Sequence, residues 1–122
     1  MNKIIEGCEL PENKWILISL TYVKGIGLSS SKKILKACAI EPTIKTKDVA
    51  IDGFNTIAAY IEANYLVENT LTKLHVNNVK RKIQLETYEG LRWKLGLPLR
   101  GQSTQSNGKT RKKNKHNFMK FL

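Results

Sequence analysis

Ten of the eleven net positive charges in this chain fall in its last 44 residues. From Met1 to Asn78, nine Lys and no Arg stand against eight Asp plus Glu, a net of +1. From Val79 to Leu122, twelve Lys plus Arg stand against two Glu, a net of +10. Like charges at that density repel one another, so the second stretch gains little from compaction unless a polyanion neutralises it. The first stretch carries no such penalty and is free to close on an apolar core. A length of 122 residues allows one domain and a tail. The composition changes at Pro98, which predicts a helical body over residues 1–98 and an extended basic tail over 99–122. A near-neutral body with a cationic end is the pattern of a nucleic-acid-binding arm.

Other chemistries find little support. Cys8 and Cys38 have no CxxC spacing, and His75 and His116 complete no zinc pattern. The expectation is two reduced thiols, no metal and no cofactor. The longest apolar stretch, Trp15 to Leu20, is interrupted by Ser19 and is too short to cross a bilayer. No membrane partner is expected. Met1 to Glu12 carries three Glu and no Arg, unlike a secretory signal or an Arg-rich transit peptide. No Ser/His/Asp set, paired carboxylates or Cys/His pair has a catalytic spacing, so the chain is not expected to be an enzyme.

The body reads as all-α. Asn13 to Val23 is apolar, and periodicity alone does not separate helix from strand there. Lys24-Gly25-Ile26-Gly27 predicts a turn, and Ser29, Ser30 and Ser31 are N-cap candidates for a helix through Ile34, Leu35 and Cys38. Pro42 is expected to end that helix. Thr43 to Val49 reads as a loop. A second helix starts near Asp52, with Phe54, Ile57, Ala58, Ile61 and Tyr65 on one face. A third runs from about Glu68 to Leu85, with Leu71, Leu74, Val79 and Ile83 along one side. Thr87 to Leu95 predicts a short helix ended by Gly96. Leu99 to Asn117 has one aliphatic residue. It has too little apolar surface to offset its ordering entropy and is expected to be extended or disordered alone.

Three segments carry candidate binding chemistry. Lys24, Gly25 and Gly27 lead into a helix N-terminus, where backbone amides and a lysine suit a phosphate oxygen. Gly27 is the glycine expected to need conformations that a β-branched residue resists. Lys80, Arg81 and Lys82, followed by Arg92 and Lys94, lie on helical segments and suit phosphate neutralisation. In the tail, Arg100, Gly101, Gln102, Lys109, Arg111, Lys112, Lys113 and Lys115 form a polar, cationic strand that can order along RNA. Trp93 and Tyr88 read as partial core or anchors more than as base-stacking platforms.

Several of these segments resemble one family. Leu20-Thr21-Tyr22-Val23-Lys24-Gly25-Ile26-Gly27 resembles the LTYIYGIG stretch of the bacterial-type small-subunit ribosomal protein S-thirteen family. Asn78-Val79-Lys80-Arg81 is similar to its NIKR, and Tyr88-Glu89-Gly90-Leu91-Arg92 to its YRGLR. Gly96-Leu97-Pro98-Leu99-Arg100-Gly101-Gln102 resembles GLPVRGQ, Thr110-Arg111-Lys112 resembles TRK, and Leu10 to Lys14 resembles LPxNK. The order is kept across nearly the whole chain. The resemblance implies a helical body with a helix–two-turn–helix element, a long helix pair and a C-terminal extension. It implies a structural place in the small-subunit head, on the 3′ major domain of the small-subunit rRNA. Protein S-nineteen, large-subunit bridge elements and the P-site tRNA are the neighbours it implies.

The chain also departs from the family. Trp93-Lys94-Leu95 replaces a basic stretch, and Ser103 and Gln105 stand where cations or Thr are usual, so contact with protein is expected there. The terminus Phe118-Met119-Lys120-Phe121-Leu122 replaces a lysine run. Abundant Asn, Lys and Ile suggest an AT-rich gene. With no presequence in view, a mitochondrial, organelle-encoded member is expected, with the bacterial cytoplasm as the alternative. The competing function is a free-standing helix–two-turn–helix DNA-binding protein, as in some DNA glycosylases. Met1-Asn2-Lys3 offers no catalytic Pro, and zinc-finger cysteines are missing.

Overall fold

The computed structural model describes residues 2–119, with side chains for 2–115. The apolar end expected at Phe118 to Leu122 falls outside the described side chains. The chain forms two compact units, Met1–Thr72 and Lys73–Leu122.

The first unit opens with a two-residue hairpin, β1 (Ile4–Ile5) and β2 (Cys8–Glu9), paired antiparallel. Glu6 and Gly7 both take positive φ, +49° and +83°, as the tight two-residue turn matching strand twist requires. Strands this short show no alternation, which is why the sequence reads as helical throughout. The apolar run then resolves as a helix, α1 (Ile16–Ser19), continuing into a 3₁₀ turn at Leu20–Tyr22. Helix α2 (Leu28–Ala37) follows the glycine turn, and α3 (Ile51–Asn64) follows a 3₁₀ turn at Thr46–Asp48. Ile16, Leu20, Val23, Ile26, Ile34, Leu35, Ile57 and Ile61 form the centre of the core. Phe54, Ile57 and Ile61 are buried on the expected face of α3.

Three hydroxyls enter that core, and each has a partner. The Ser19 hydroxyl donates to the Pro11 carbonyl (3.0 Å), and the Thr46 hydroxyl lies 2.6 Å from Ser19 Oγ. The Ser31 hydroxyl donates to the Leu17 carbonyl (2.7 Å). Ser31 therefore ties α2 to α1 and is not an N-cap. The N-cap is Gly27.

Helix α2 ends before Pro42 has any influence. Ile40 N–H donates to the Leu35 carbonyl (3.0 Å), and Ala39 N–H to the Lys36 carbonyl (3.3 Å). These are the two bonds of a Schellman cap, which places Ala39 in the left-handed region at φ +55°.

The second unit holds most of α4 (Glu68–Gln84), together with α5 (Tyr88–Leu95) and α6 (Lys109–Met119). Its buried residues among those described are Gly90, Gly96 and Pro98. Apart from the Pro98 ring, every buried hydrophobic side chain among the described residues lies at or before Val67. Along α4, Leu71, Val79 and Ile83 are half-buried, while Leu74 is exposed. Caps and close backbone packing hold the unit instead. The Thr87 hydroxyl accepts from Gly90 N–H (3.1 Å), and Gly96 ends α5 in the left-handed region at φ +71°. A Cβ at Gly90 would stand 2.3 Å from the Lys82 carbonyl oxygen, so only glycine lets α5 sit against the end of α4.

Residues 99–108 are irregular, but Lys109–Met119 is helical where the composition predicts extended chain. Lys and Arg are good helix formers. Arg111 and Lys115 also find contacts on the end of α5, which the composition alone does not reveal.

Ala39 is exposed, and its left-handed conformation carries a Cβ penalty of about 1 kcal/mol. Ala39→Gly should therefore stabilise the first unit by ~1 kcal/mol. Thermal denaturation should show Tm rising by roughly 4–8 °C. An unchanged Tm would show that the unit already relaxes this strain.

Candidate nucleic-acid interface

In the first unit the candidate residues form the turn between α1 and α2. Ile26 is buried and anchors the turn, leaving Lys24, Gly25 and Gly27 exposed. Gly27 precedes α2 in an extended conformation (φ −99°, ψ −178°) and makes no side-chain cap. The amides of the first turn of α2 thus lie behind a residue with no side chain to occupy them, an arrangement suited to an anion. The expectation that Gly27 requires glycine-only geometry is corrected here. Its backbone is one any residue adopts, and a Cβ would meet nothing within 4 Å. The requirement belongs to Gly25, at φ +106°, where a Cβ would stand 2.8 Å from the Leu66 carbonyl oxygen.

Lys24 has partners that sequence spacing could not supply. Its N–H donates to Glu68 Oε1 (2.7 Å), its carbonyl accepts from Glu68 N–H (3.0 Å), and its ammonium donates to Thr72 Oγ1 (2.7 Å). The turn is thereby bonded to the first turn of α4. A phosphate at Lys24 must share that ammonium with Thr72.

In the second unit the basic cluster on α4 is divided. Lys82 pairs with Glu89 at 2.7 Å, the one ion pair among the described residues. That contact holds the Glu89 carboxyl below its ordinary range, through the hydrogen bond first and the charge of Lys82 second. Lys80 is half-buried and Arg81 exposed. On α5, Lys94 is exposed, while Arg92 turns inward. Its Nε donates to the Pro98 carbonyl (2.9 Å), and its guanidinium lies 5.9 Å from the centre of the Tyr88 ring. Arg92 therefore shapes the Gly96–Gln102 loop as well as adding charge.

Arg100, Gly101 and Gln102 are exposed, as are Lys109, Lys112 and Lys113. Arg111 and Lys115 are half-buried and face α5. Tyr88 is exposed and is not core, whereas Trp93 is half-buried beneath Arg111.

Three ionisable groups of the first unit are shifted by their surroundings. Burial pushes the Cys8 and Cys38 thiols up, favouring the protonated form, with Glu68 adding to the effect at Cys8. Burial lowers Lys3, opposed by Asp48 and Glu12. Its ammonium bonds the Thr46 and Val49 carbonyls, staying close to the body. Among the described residues no His, Cys, Asp or Glu group is placed to hold a metal, and no helix is long and apolar enough to cross a membrane.

These features coincide with one family. A family profile described as ribosomal protein S13/S18 matches residues 4–110. The small ribosomal subunit protein uS13 of Thermosipho melanesiensis is 44% identical over 88% of this chain and 88% of its own length. That of Microcystis aeruginosa is 41% identical over 88% of this chain and 85% of its own. The uS13c protein of Pyropia yezoensis is 44% identical over 88% and 86%. The chain belongs to the S13/S18 family of ribosomal proteins, and as such it is a structural protein and not an enzyme.

The two glycines of the turn should separate in a stability experiment. Gly25→Ala should cost about 1–3 kcal/mol, because it adds strain at positive φ and a clash with the Leu66 carbonyl. Gly27→Ser should cost less than about 0.5 kcal/mol, because serine is a good N-cap. Urea denaturation of the two variants beside the parent checks this. Equal losses would show that the turn tolerates neither substitution and that backbone angle is not the cause.

Proposed function

We propose that the chain is a structural component of the small ribosomal subunit that binds small-subunit rRNA chiefly through its second unit. Charge segregation carries this reading. The first unit has eight Lys against eight Asp plus Glu, while the second has thirteen Lys plus Arg against two Glu. A unit with net charge +11, whose buried residues among those described are two glycines and Pro98, is suited to a phosphate-rich partner. Lys80, Arg81, Lys94, Arg100, Lys109, Lys112 and Lys113 are the direct phosphate candidates. Gly101 and Gln102 form an exposed bend able to approach backbone or base edges. Lys24, Gly25 and Gly27 form a separate phosphate contact at the start of α2.

Within that reading, the partner is the 3′ major domain of the small-subunit rRNA. The body over residues 1–98 sits in the head beside protein S-nineteen and the large-subunit bridge elements. The basic tail over 99–122 runs toward the P-site tRNA. A chain rich in Asn, Lys and Ile is assigned to the mitochondrial ribosome, with a bacterial ribosome as the alternative.

Truncation after Pro98 tests the RNA contact. It removes seven Lys plus Arg and no acid. If roughly half of these meet phosphate, the slope of log K against log salt should flatten by about two to three units, since each single-strand phosphate contributes about −0.7. Binding of both proteins to a 3′ major-domain fragment across a salt series measures this. Circular dichroism should lose only the share of α6. Equal slopes would remove the tail from the phosphate contacts.

A further inference from the structure

The first residues of α6 are seated on the end of α5 by contacts that leave one donor unmet. The Arg111 guanidinium lies over the Trp93 ring, 4.4 Å from its centre, and Nη2 donates to the Trp93 carbonyl (3.4 Å). The Lys115 stem runs across Gly96. A Cβ there would stand 2.8 Å from Lys115 Cγ and Cδ, so any other residue would push the stem aside. Gly108, at the turn into α6, stands against Pro98, where a Cβ would come within 3.0 Å of the proline ring. Arg111 Nε is buried with no acceptor among the described residues.

We propose that α6 is a clasp: in the RNA-free protein it folds back on α5 and holds Arg111 and Lys115 against Trp93 and Gly96, and RNA opens it by taking the same two cations. This deepens the rRNA-binding reading and rests on it. The Nε–Nη2 edge of the guanidinium is turned into the clasp, with Nη2 on a backbone carbonyl and Nε buried, so a phosphate takes that edge only when the clasp opens. A phosphate offers two charged acceptors in the geometry of that fork, and it satisfies the donor that the clasp leaves unpaired. The clasp also works against its own charge. Lys109, Arg111, Lys112, Lys113 and Lys115 lie within seven residues with no acid among them. Salt therefore acts in opposite directions on the two states. It screens this repulsion and closes the clasp, while it weakens the contact with RNA.

Energy transfer from Trp93 to α6 tests the device. With Trp15→Phe, Cys8→Ser and Cys38→Ser, Trp93 becomes the sole tryptophan, and Asn114→Cys carries a naphthalene acceptor. Asn114 is exposed. The free protein should show strong transfer that rises with salt. Arg111→Ala should lower transfer several-fold, because an undocked tail of about twenty residues spans roughly 25 Å as a coil. A saturating 3′ major-domain rRNA fragment should lower transfer in the parent to the Arg111→Ala level. Equal transfer in the parent and Arg111→Ala without RNA overturns the clasp. Unchanged transfer while filter binding shows RNA bound overturns the opening step. Strong transfer in the free protein with no RNA bound at any salt ends the rRNA-binding reading, and the opening step with it, while the fold-back contact stands.

Discussion

Thirteen cations and two carboxylates have to share the fifty residues from Lys73 to Leu122. That excess sets what the unit can be. It gains little from collapsing on itself, because with so few carboxylates an approach of two helices mostly brings like charges together. It also lacks the usual remedy, since Leu85, Tyr88, Leu91 and Leu95 are all exposed. Structure there comes from helix caps and from close approaches to glycine backbone. Gly90 meets the Lys82 carbonyl, Thr87 caps α5, and the Gly96 turn receives the Lys115 stem. Lys82 with Glu89 neutralises one cation, and this exposed pair adds little to stability. A helix hairpin of this kind keeps its shape locally and leaves most of its charge without a counter-charge among the described residues.

The first unit is built on opposite terms. Its charges balance, and its core closes over Ile16, Leu20, Ile34, Ile57 and Ile61. Ser19, Thr46 and Ser31 are buried without an orphaned hydroxyl, which matches the rule that buried polar groups are hydrogen-bonded. The bonds between Lys24 and Glu68 join the glycine turn to the first turn of α4. They fix where α4 begins. Gly25 allows this because the Leu66 carbonyl passes too close for any side chain.

Much of this was legible in the residues. The start of α3 near Asp52, the extent of α4 and the Thr87–Gly96 bounds of α5 follow from periodicity and caps. The turn at Lys24 to Gly27 was evident, but not which glycine needed the freedom. That depends on the Leu66 carbonyl, which lies about forty residues away in the chain and which no local pattern contains. The hairpin at Ile4 to Glu9 was too short to show alternation. Ser31 looked like a cap because caps and buried hydroxyls are the same residue types. The tail composition spoke for extended chain, whereas Lys109–Met119 is helical and Arg111 rests on Trp93, a contact between segments. Among the candidate cations, spacing placed Arg92 with the phosphate binders, whereas its Nε is committed to the Pro98 carbonyl. The list of basic residues was therefore readable from sequence. Their division into outward and inward cations was not.

The central claim is that one unit is self-sufficient and the other completes itself on an anionic partner. Amide hydrogen exchange with and without a 3′ major-domain rRNA fragment tests it most directly. In the free protein, amides around Ile57 and Ile61 should exchange only through global unfolding, while those from Lys82 to Gly96 should exchange much faster. With the fragment bound, the Lys82 to Gly96 amides should slow by orders of magnitude, and those of the first unit should change little outside the turn at Lys24 to Gly27 and the first turn of α2. Equal protection of both units in the free protein, or no slowing on binding, would contradict the account.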